Sequence, residues 1–286
     1  MQSVSTALRN AINAGNPQRI LLKFGNTEFS NEDIFISNGV KLSEDFNSEK
    51  DLTIGSTPSA MISFSMNNDN GQLDDFEFGW FNAYLGARID SGTPTEITRT
   101  FRENGSNKTY AFAPLGVFYA ERPDDLIMKS AINITAYDQM KKFEKSMPDS
   151  TTLNITYPTT MVDVLEKICT YIGVTLQNNT FLNYDLEVSK EPVDFKMATI
   201  REVVGWIAEA SCSIAKFNRA GKLEMAWFNT TAESFDEHRY SSFSPLRYET
   251  AAINGAYFRD TSNSKETSNG TVKTNNYLVQ DNPFLV

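Results

Sequence analysis

The chain has 286 residues, 40% hydrophobic, 22% charged and 12% aromatic, with a formal net charge of −10. That length allows about two domains with real cores, and an aromatic content led by Phe favours sheet-rich packing. The acidic balance excludes a general nucleic-acid binder, which needs a basic face for the phosphates. A single histidine, His238, excludes a His-rich metal site, and two cysteines are too few to staple a fold for an oxidising compartment. Cys169, inside a helical pattern, and Cys212, at a helix-to-strand break, are read as buried small hydrophobes. No apolar run approaches the ~20 residues of a membrane span. The N-terminus is weakly amphipathic without an apolar h-region, so the chain is expected to act on the cytosolic side, or to leave by lysis or within a larger particle.

In chain order, Thr6 to Asn13 predicts a short helix ended by Gly15 and Pro17. Arg19 to Phe24 predicts a strand before the turn Gly25-Asn26. A second strand around Asp33 to Ile36 is expected to form a hairpin through Asn38-Gly39 with Val40 to Ser43. Asp51 to Gly55 reads as a loop or short strand. Ala60 to Met66 alternates, with Ile62, Phe64 and Met66 on one face and Met61, Ser63 and Ser65 on the other. Asp69, Asp74, Asp75 and Glu77 invite a calcium reading, but Met66 and Asn68 occupy slots that an EF-hand gives to ligands. The preferred account is a polar hairpin tip beside an aromatic strand carrying Phe76, Phe78 and Trp80.

Ala83 to Asp90 is the next expected strand. Ile97 to Arg102 and Lys108 to Ala113 flank a hairpin tip at Glu103-Asn104-Gly105-Ser106, and Leu115 to Ala120 and Lys129 to Tyr137 follow as separate strands. These short, evenly spaced strands suggest a small barrel or sandwich. Asp138 to Phe143 then forms a helical turn. Carboxylate pairs such as Asp124-Asp125 and Asp74-Asp75 are adjacent in extended chain, where neighbours point to opposite faces, so they make poor acid/base partners.

Composition shifts near Ser146 to Ser150. Leu153 to Ile155 is expected to be extended. Thr159 or Thr160 caps a helix carrying Met161, Leu165, Ile168 and Ile172, ended by Gly173 at the C′ position, and strands follow at Val174 to Gln177 and Glu187 to Ser189. Thr199 and Glu202 make a capping box for a helix whose apolar face is Ile200, Val203, Val204, Ile207 and Ala208. That helix runs into a hairpin of Ser213 to Asn218 and Lys222 to Phe228, joined through Arg219-Ala220-Gly221, with Leu223, Met225 and Trp227 on one face. The rest returns to β and loop: strands at Leu246 to Thr250, Asn254 to Arg259 and Tyr277 to Val279, with a polar loop tip over Asp260 to Thr274. The fold class is therefore α+β, mostly β. The expected domains are 1–145 (a barrel-like β domain), 146–230 (an α+β module) and 231–286 (the start of a second barrel-like domain).

Three phrases, in this order, resemble the tail-hub or baseplate-hub (tail-tip) proteins of long-tailed phages, a family related in fold to late control D proteins and type VI spike hubs. They are NNDNGQLDDFEF with APLGVFYAERP; ITAYDQMKKFEK with YPTTMVDVLEKICTYIGVTL; and ATIREVVGWIAEASCSIAKFNRAGKLEMAWF with the late DNPFL. The resemblance implies two barrel-like β modules with a small α+β module inserted between them, and a homotrimeric ring with pseudo-sixfold symmetry. Such a ring joins the tail tube, and distal tail proteins, to a tip, spike or fibre, and its place is the virion tail, assembled in the host cytoplasm. It also implies that this chain stops before any wall-hydrolase extension, as a truncated chain or with a separate enzyme partner. Ser211-Cys212-Ser213 departs from the family, which usually has small residues or Gly there. No catalytic, cofactor or metal residue is assigned. The weighed alternatives are a carbohydrate- or receptor-binding β module, favoured if exposed aromatics lie on one concave face, and a wall hydrolase built on His238 with Asp236 or Glu237, or on a stray carboxylate pair. The latter lacks any G-x-S-x-G nucleophile motif.

Overall fold

The computed structural model describes residues 4–35, 39–44, 54–69, 71–123, 130–192, 195–226, 255–259, 266–268, 276–279 and 282–285. The fold is α+β and mostly β. Helix α1 (Thr6–Asn13) starts on Ser5, whose side chain accepts from the Leu8 amide, and ends before Gly15 at φ 68°. The strands β1 (Gln18–Phe24), β2 (Thr27–Phe29), β3 (Lys41–Ser43), β4 (Met61–Asn67), β5 (Trp80–Arg88), β6 (Ile97–Glu103), β7 (Ser106–Ala120) and β8 (Ala131–Asp138) form one antiparallel sheet. Its order is β2-β1-β5-β7-β8-β4-β3, with β6 added to β7.

The sheet curls until the chain leaving β2 meets the far edge: Ile34 bridges Met66, and the Phe35 amide donates to the Ser65 carbonyl. The expected barrel is not shown: the sheet curls, but among the described residues one isolated bridge and not a strand ladder joins its two ends. Of the strand expected at Asp33 to Ile36, Ile34 makes that bridge, while Ile36 and the turn residue Asn38 lie outside the described residues; β3 pairs with β4. Both described segments face the same edge of β4, Ile34 at Met66 and Lys41 to Ser43 at Ser63 to Met61.

Inside the curl, Leu22, Ile62, Phe64, Met66, Phe81 and Phe118 are buried. Phe24 stacks on Phe81 at 4.4 Å and meets Phe29, Phe76 and Phe78 edge-on, so the segment before Trp80 folds inward as an aromatic plug. The strand predicted there starts only at Trp80.

β7 is a single strand of fifteen residues where two were expected. Its register to β5 slips between Ala83 and Tyr84, which face Gly116 and Pro114 and leave Leu115 as the extra residue of a bulge. Proline is tolerated in a sheet at such a bulge, so Pro114 bends the strand rather than ending it. The β6–β7 turn is a two-residue connection, Asn104 and Gly105 at φ 48° and 77°, the positive-φ pair of a type I′ hairpin.

The α+β part follows a 3₁₀ turn, Gln139–Glu144, capped by Asp138. It contains β9 (Thr159–Thr160), α2 (Met161–Ile172), β10 (Thr175–Leu176), β11 (Glu187–Val188), α3 (Ile200–Ala210), β12 (Ile214–Phe217) and β13 (Lys222–Ala226). Thr160 caps α2, Gly173 ends it in the left-handed region, and both halves of the Thr199/Glu202 capping box form on α3. Residues 151–154 are a turn, not the extended run expected, with Asn154 at φ 54°. α2 and α3 bury Met161, Leu165, Ile168, Val203 and Ile207 against the sheet β10-β13-β12. A last sheet, β15-β14-β16, comprises β14 (Gly255–Arg259), β15 (Glu266–Ser268) and β16 (Asn276–Val279). β15 lies where a plain loop tip was expected. Leu246 to Thr250 and Trp227 lie outside the described residues.

One ion-pair network pins β1 to the β6–β7 arm. Arg19, largely buried, reaches Glu32 at 2.6 Å and Glu103 at 3.0 Å and lies 4.3 Å from the Phe101 ring, while the Tyr110 hydroxyl donates to Glu103 at 2.6 Å. Arg99 makes a two-pronged contact to Glu28 at 2.8 and 2.6 Å, but both side chains are partly in water. Arg19→Ala leaves Glu103 half-buried and short of a cation, and is expected to cost about 2–3 kcal/mol. Arg99→Ala should cost less than about 1 kcal/mol. Urea unfolding of both variants checks this order; equal costs would refute it. The hydrogen bond from Arg99 holds the Glu28 carboxyl below its ordinary 4.5. That contribution is therefore present above about pH 4.5 and lost as pH falls through the depressed value. Glu28→Gln should accordingly flatten the acid limb of stability against pH relative to the wild type.

Candidate functional site

The feature that gathers the most long-range chemistry is the joint where the α+β part meets the barrel-like sheet. On one edge of β7, residues Ser106 to Phe112 pair with β6 and Phe118 to Ala120 pair with β8. Ala113 to Val117, around the bulge, have no strand on that side among the described residues. The tip of the β12–β13 hairpin fills this notch. Arg219 donates to the Leu115 carbonyl at 3.4 Å and pairs with Glu44 at 2.5 Å, and Gln139 donates to the Gly221 carbonyl at 2.5 Å.

Gly221 sits at φ 74°, and a Cβ there would lie 2.5 Å from Val117 Cγ2 and 3.0 Å from Gln139 Nε2. Glycine is therefore required twice, for the turn and for the close approach. The tip folds itself through Asn218, whose side-chain carbonyl accepts from the amides of Ala220 and Lys222.

Asp138 anchors the other side of the joint. It is buried, accepts from Ser59 Oγ, the Ala60 amide and the Met140 amide, and is pushed above the usual carboxylate range by burial. A strap over residues 54–57 then crosses to α3. The Gly55 amide donates to the Ser213 carbonyl and the Ala215 amide to the Ser56 carbonyl, extending the small sheet past β12. Gly55 and Gly205 face each other at the crossing, where a Cβ on Gly205 would meet the Gly55 carbonyl at 3.2 Å. Arg201 clamps the strap with 2.7 and 3.2 Å bonds to the Thr57 carbonyl and also pairs with Glu144. From the C-terminal end, the Asn282 amide donates to the Trp206 carbonyl and Glu209, and Phe284 is buried in the α2–α3 core.

None of these joint residues was singled out from the sequence, because the signal is pairwise and distant. Only Gly221 and Arg219 carried a local hint, as a turn. The acidic residues of the calcium reading, Asp69, Asp74, Asp75 and Glu77, do not converge into a group of three. Asn68, buried, donates to Asp74 at 2.8 Å and accepts from the Leu73 amide, so an asparagine organises that turn. Among the described residues no three His, Cys, Asp or Glu side chains converge. His238, Asp236, Glu237, Asp124 and Asp125 lie outside the described residues.

Cys169 and Cys212 are free and buried. Burial pushes the Cys169 thiol up to about 12, and burial beside Glu209 raises that of Cys212, so neither is poised as a thiolate. Cys212 takes φ 51°, the left-handed conformation that Gly would favour. The departure noted at Ser211-Cys212-Ser213 is therefore absorbed by a strained cysteine at the α3–β12 break.

Two glycines separate turn strain from contact. Gly105→Ala, at φ 77° with open space around it, should cost about 1 kcal/mol. Gly221→Ala adds a collision with Val117 and should cost about 2–3 kcal/mol more, from overpacking a tight contact. Denaturant midpoints for the pair test this; equal losses would mean the tip does not bear on β7.

No family model and no curated protein matches the sequence. Among solved structures, a 43 kDa tail protein of prophage MuSo2 from Shewanella oneidensis aligns at TM-score 0.47 and 11% identity, covering 93% of this chain and 72% of that one. A tail protein from Neisseria meningitidis MC58 aligns at TM-score 0.42 and 11% identity, covering 91% of this chain and 69% of its own.

Proposed function

We propose that this chain is a structural, non-enzymatic component of a phage or prophage tail, a tail-tip hub that assembles as a homotrimeric ring between the tail tube and the tip. The observation that carries the reading is where the hub-like phrases meet. Leu115 and Val117 come from APLGVFYAERP, Gln139 from ITAYDQMKKFEK, and Arg219 and Gly221 from the phrase holding α3 and its hairpin. These five residues, distant in sequence, are in contact at one joint. The phrases that carry the resemblance thus meet at a packed contact rather than a cleft. DNPFL adds the same kind of contact, since Asn282 and Phe284 lock onto α3.

Such a ring would bury a large obligate interface, on the order of 2,000 Å² or more. It would leave the edges of β3, β6 and the β15-β14-β16 sheet as natural places for cover by neighbours. Light scattering of the purified chain across a concentration series tests the proposal. A mass three times the 32.1 kDa chain is expected; a monomer at every concentration overturns it.

A further inference from the structure

The outward face of the barrel-like sheet carries an aromatic row. Trp80 of β5, Tyr119 of β7, Tyr137 of β8 and Met61 of β4 are successive cross-strand partners. Trp80 and Tyr137 are 37% and 42% exposed, and the Trp80 and Tyr119 rings lie 5.0 Å apart. The 3₁₀ turn lays two cations over this row: Lys142 Nζ is 4.6 Å from the Trp80 ring and Lys141 Nζ is 5.2 Å from Tyr119. Lys141 also holds Glu121. Among the described residues Lys142 hydrogen-bonds neutral acceptors alone, Gln139 Oε1 and the Gly173 carbonyl. Exposed Trp and Tyr beside the Lys142 ammonium, which has no carboxylate partner among the described residues, form a surface suited to an apolar, acidic occupant.

A surface of that kind exists on the same chain. The loop before β11 exposes Leu182 (54%) and Tyr184, with Asp185 and Glu187 exposed beside them and in no ion pair among the described residues. The two surfaces sit at opposite ends of α2. The Gly173 carbonyl at its C-cap accepts from Lys142, whereas its first amides, Met161 and Val162, donate to the Leu186 and Tyr184 carbonyls. A helix of twelve residues holds them about 18 Å apart, so they cannot meet within one chain.

We infer that the Trp80–Tyr119–Tyr137 row with Lys141 and Lys142 docks the Leu182-to-Glu187 loop of a second copy of this chain, as a head-to-tail contact. Two different patches meeting between identical subunits make a heterologous interface, and such an interface closes into a ring when its rotation is cyclic. The inference rests on the ring reading above and names the surfaces that ring would use.

The test is a charge swap read by light scattering, with thermal unfolding as the folding control. Lys141→Glu with Lys142→Glu, and separately Asp185→Lys with Glu187→Lys, place like charges across the contact. Each is expected to weaken association at least about tenfold. The chain carrying all four changes restores opposite charges and is expected to reassemble, which a mere loss of folding would not allow. If the wild type assembles and both reversals assemble equally well, the patches face something other than a second copy and this inference fails while the ring stands. If both reversals lose assembly and the four-change chain does not regain it, pairing between the two patches is overturned. If the wild type stays monomeric at every concentration, the ring reading and this inference fall together.

Discussion

The structure depends most on the notch in β7. A strand of fifteen residues runs about 50 Å, too far for one neighbour to serve its whole edge in a small module. β6 serves one end and β8 the other. The stretch between them has no strand beside it among the described residues, and a carbonyl covered there needs a donor. The hairpin tip meets that need at one point, where Arg219 donates to the Leu115 carbonyl, and packs so closely that no side chain fits between Gly221 and Val117. The bulge that bends β7 also makes the socket.

Around that contact α3 acts as the common support. Its Thr199 start is bridged to Ser146, with the Ile200 amide donating to the Lys145 carbonyl. Its middle is crossed by the Gly55 strap, and Trp206 and Glu209 receive Asn282. Segments that are first, middle and last in the chain therefore converge on one helix of eleven residues. A cavity-forming change in its buried face would loosen all three at once, whereas a change in the β6–β7 arm would stay local.

The helices were legible in the sequence nearly to the residue, because their signals are local. A capping oxygen, a Glu three residues on and a glycine at C′ act within a few residues of each other, as Thr160, Thr199, Glu202 and Gly173 show. Strand existence was also legible, through alternation in β4 and β8. Partnership was not. Val40 to Ser43 carried a hairpin signal at Asn38-Gly39, yet its hydrogen bonds go to β4, because that edge also faces the buried Ile62 and Met66. Pro114 falls between two expected strands that are one; at a bulge the ladder donor that a proline lacks is not needed. The joint itself left almost no trace, since Leu115, Gln139 and Arg219 are individually ordinary and matter only through one another.

Rigidity at the joint bears on assembly through geometry alone. The aromatic row belongs to the barrel-like sheet and the acidic loop to the α+β part, so the angle between them is set by the joint and by α2. A head-to-tail contact repeats whatever rotation separates its two patches. It yields a closed ring only if that rotation is the same in every copy, and an open filament or ragged aggregate otherwise. A freely hinged connection would sample many rotations and lose the entropy of fixing one at each contact. Gly221 against Val117, Gln139 on the Gly221 carbonyl and Arg201 on the strap hold the angle before any neighbour arrives. In the proposed ring, the close-packed joint inside one subunit would be the physical condition for closure.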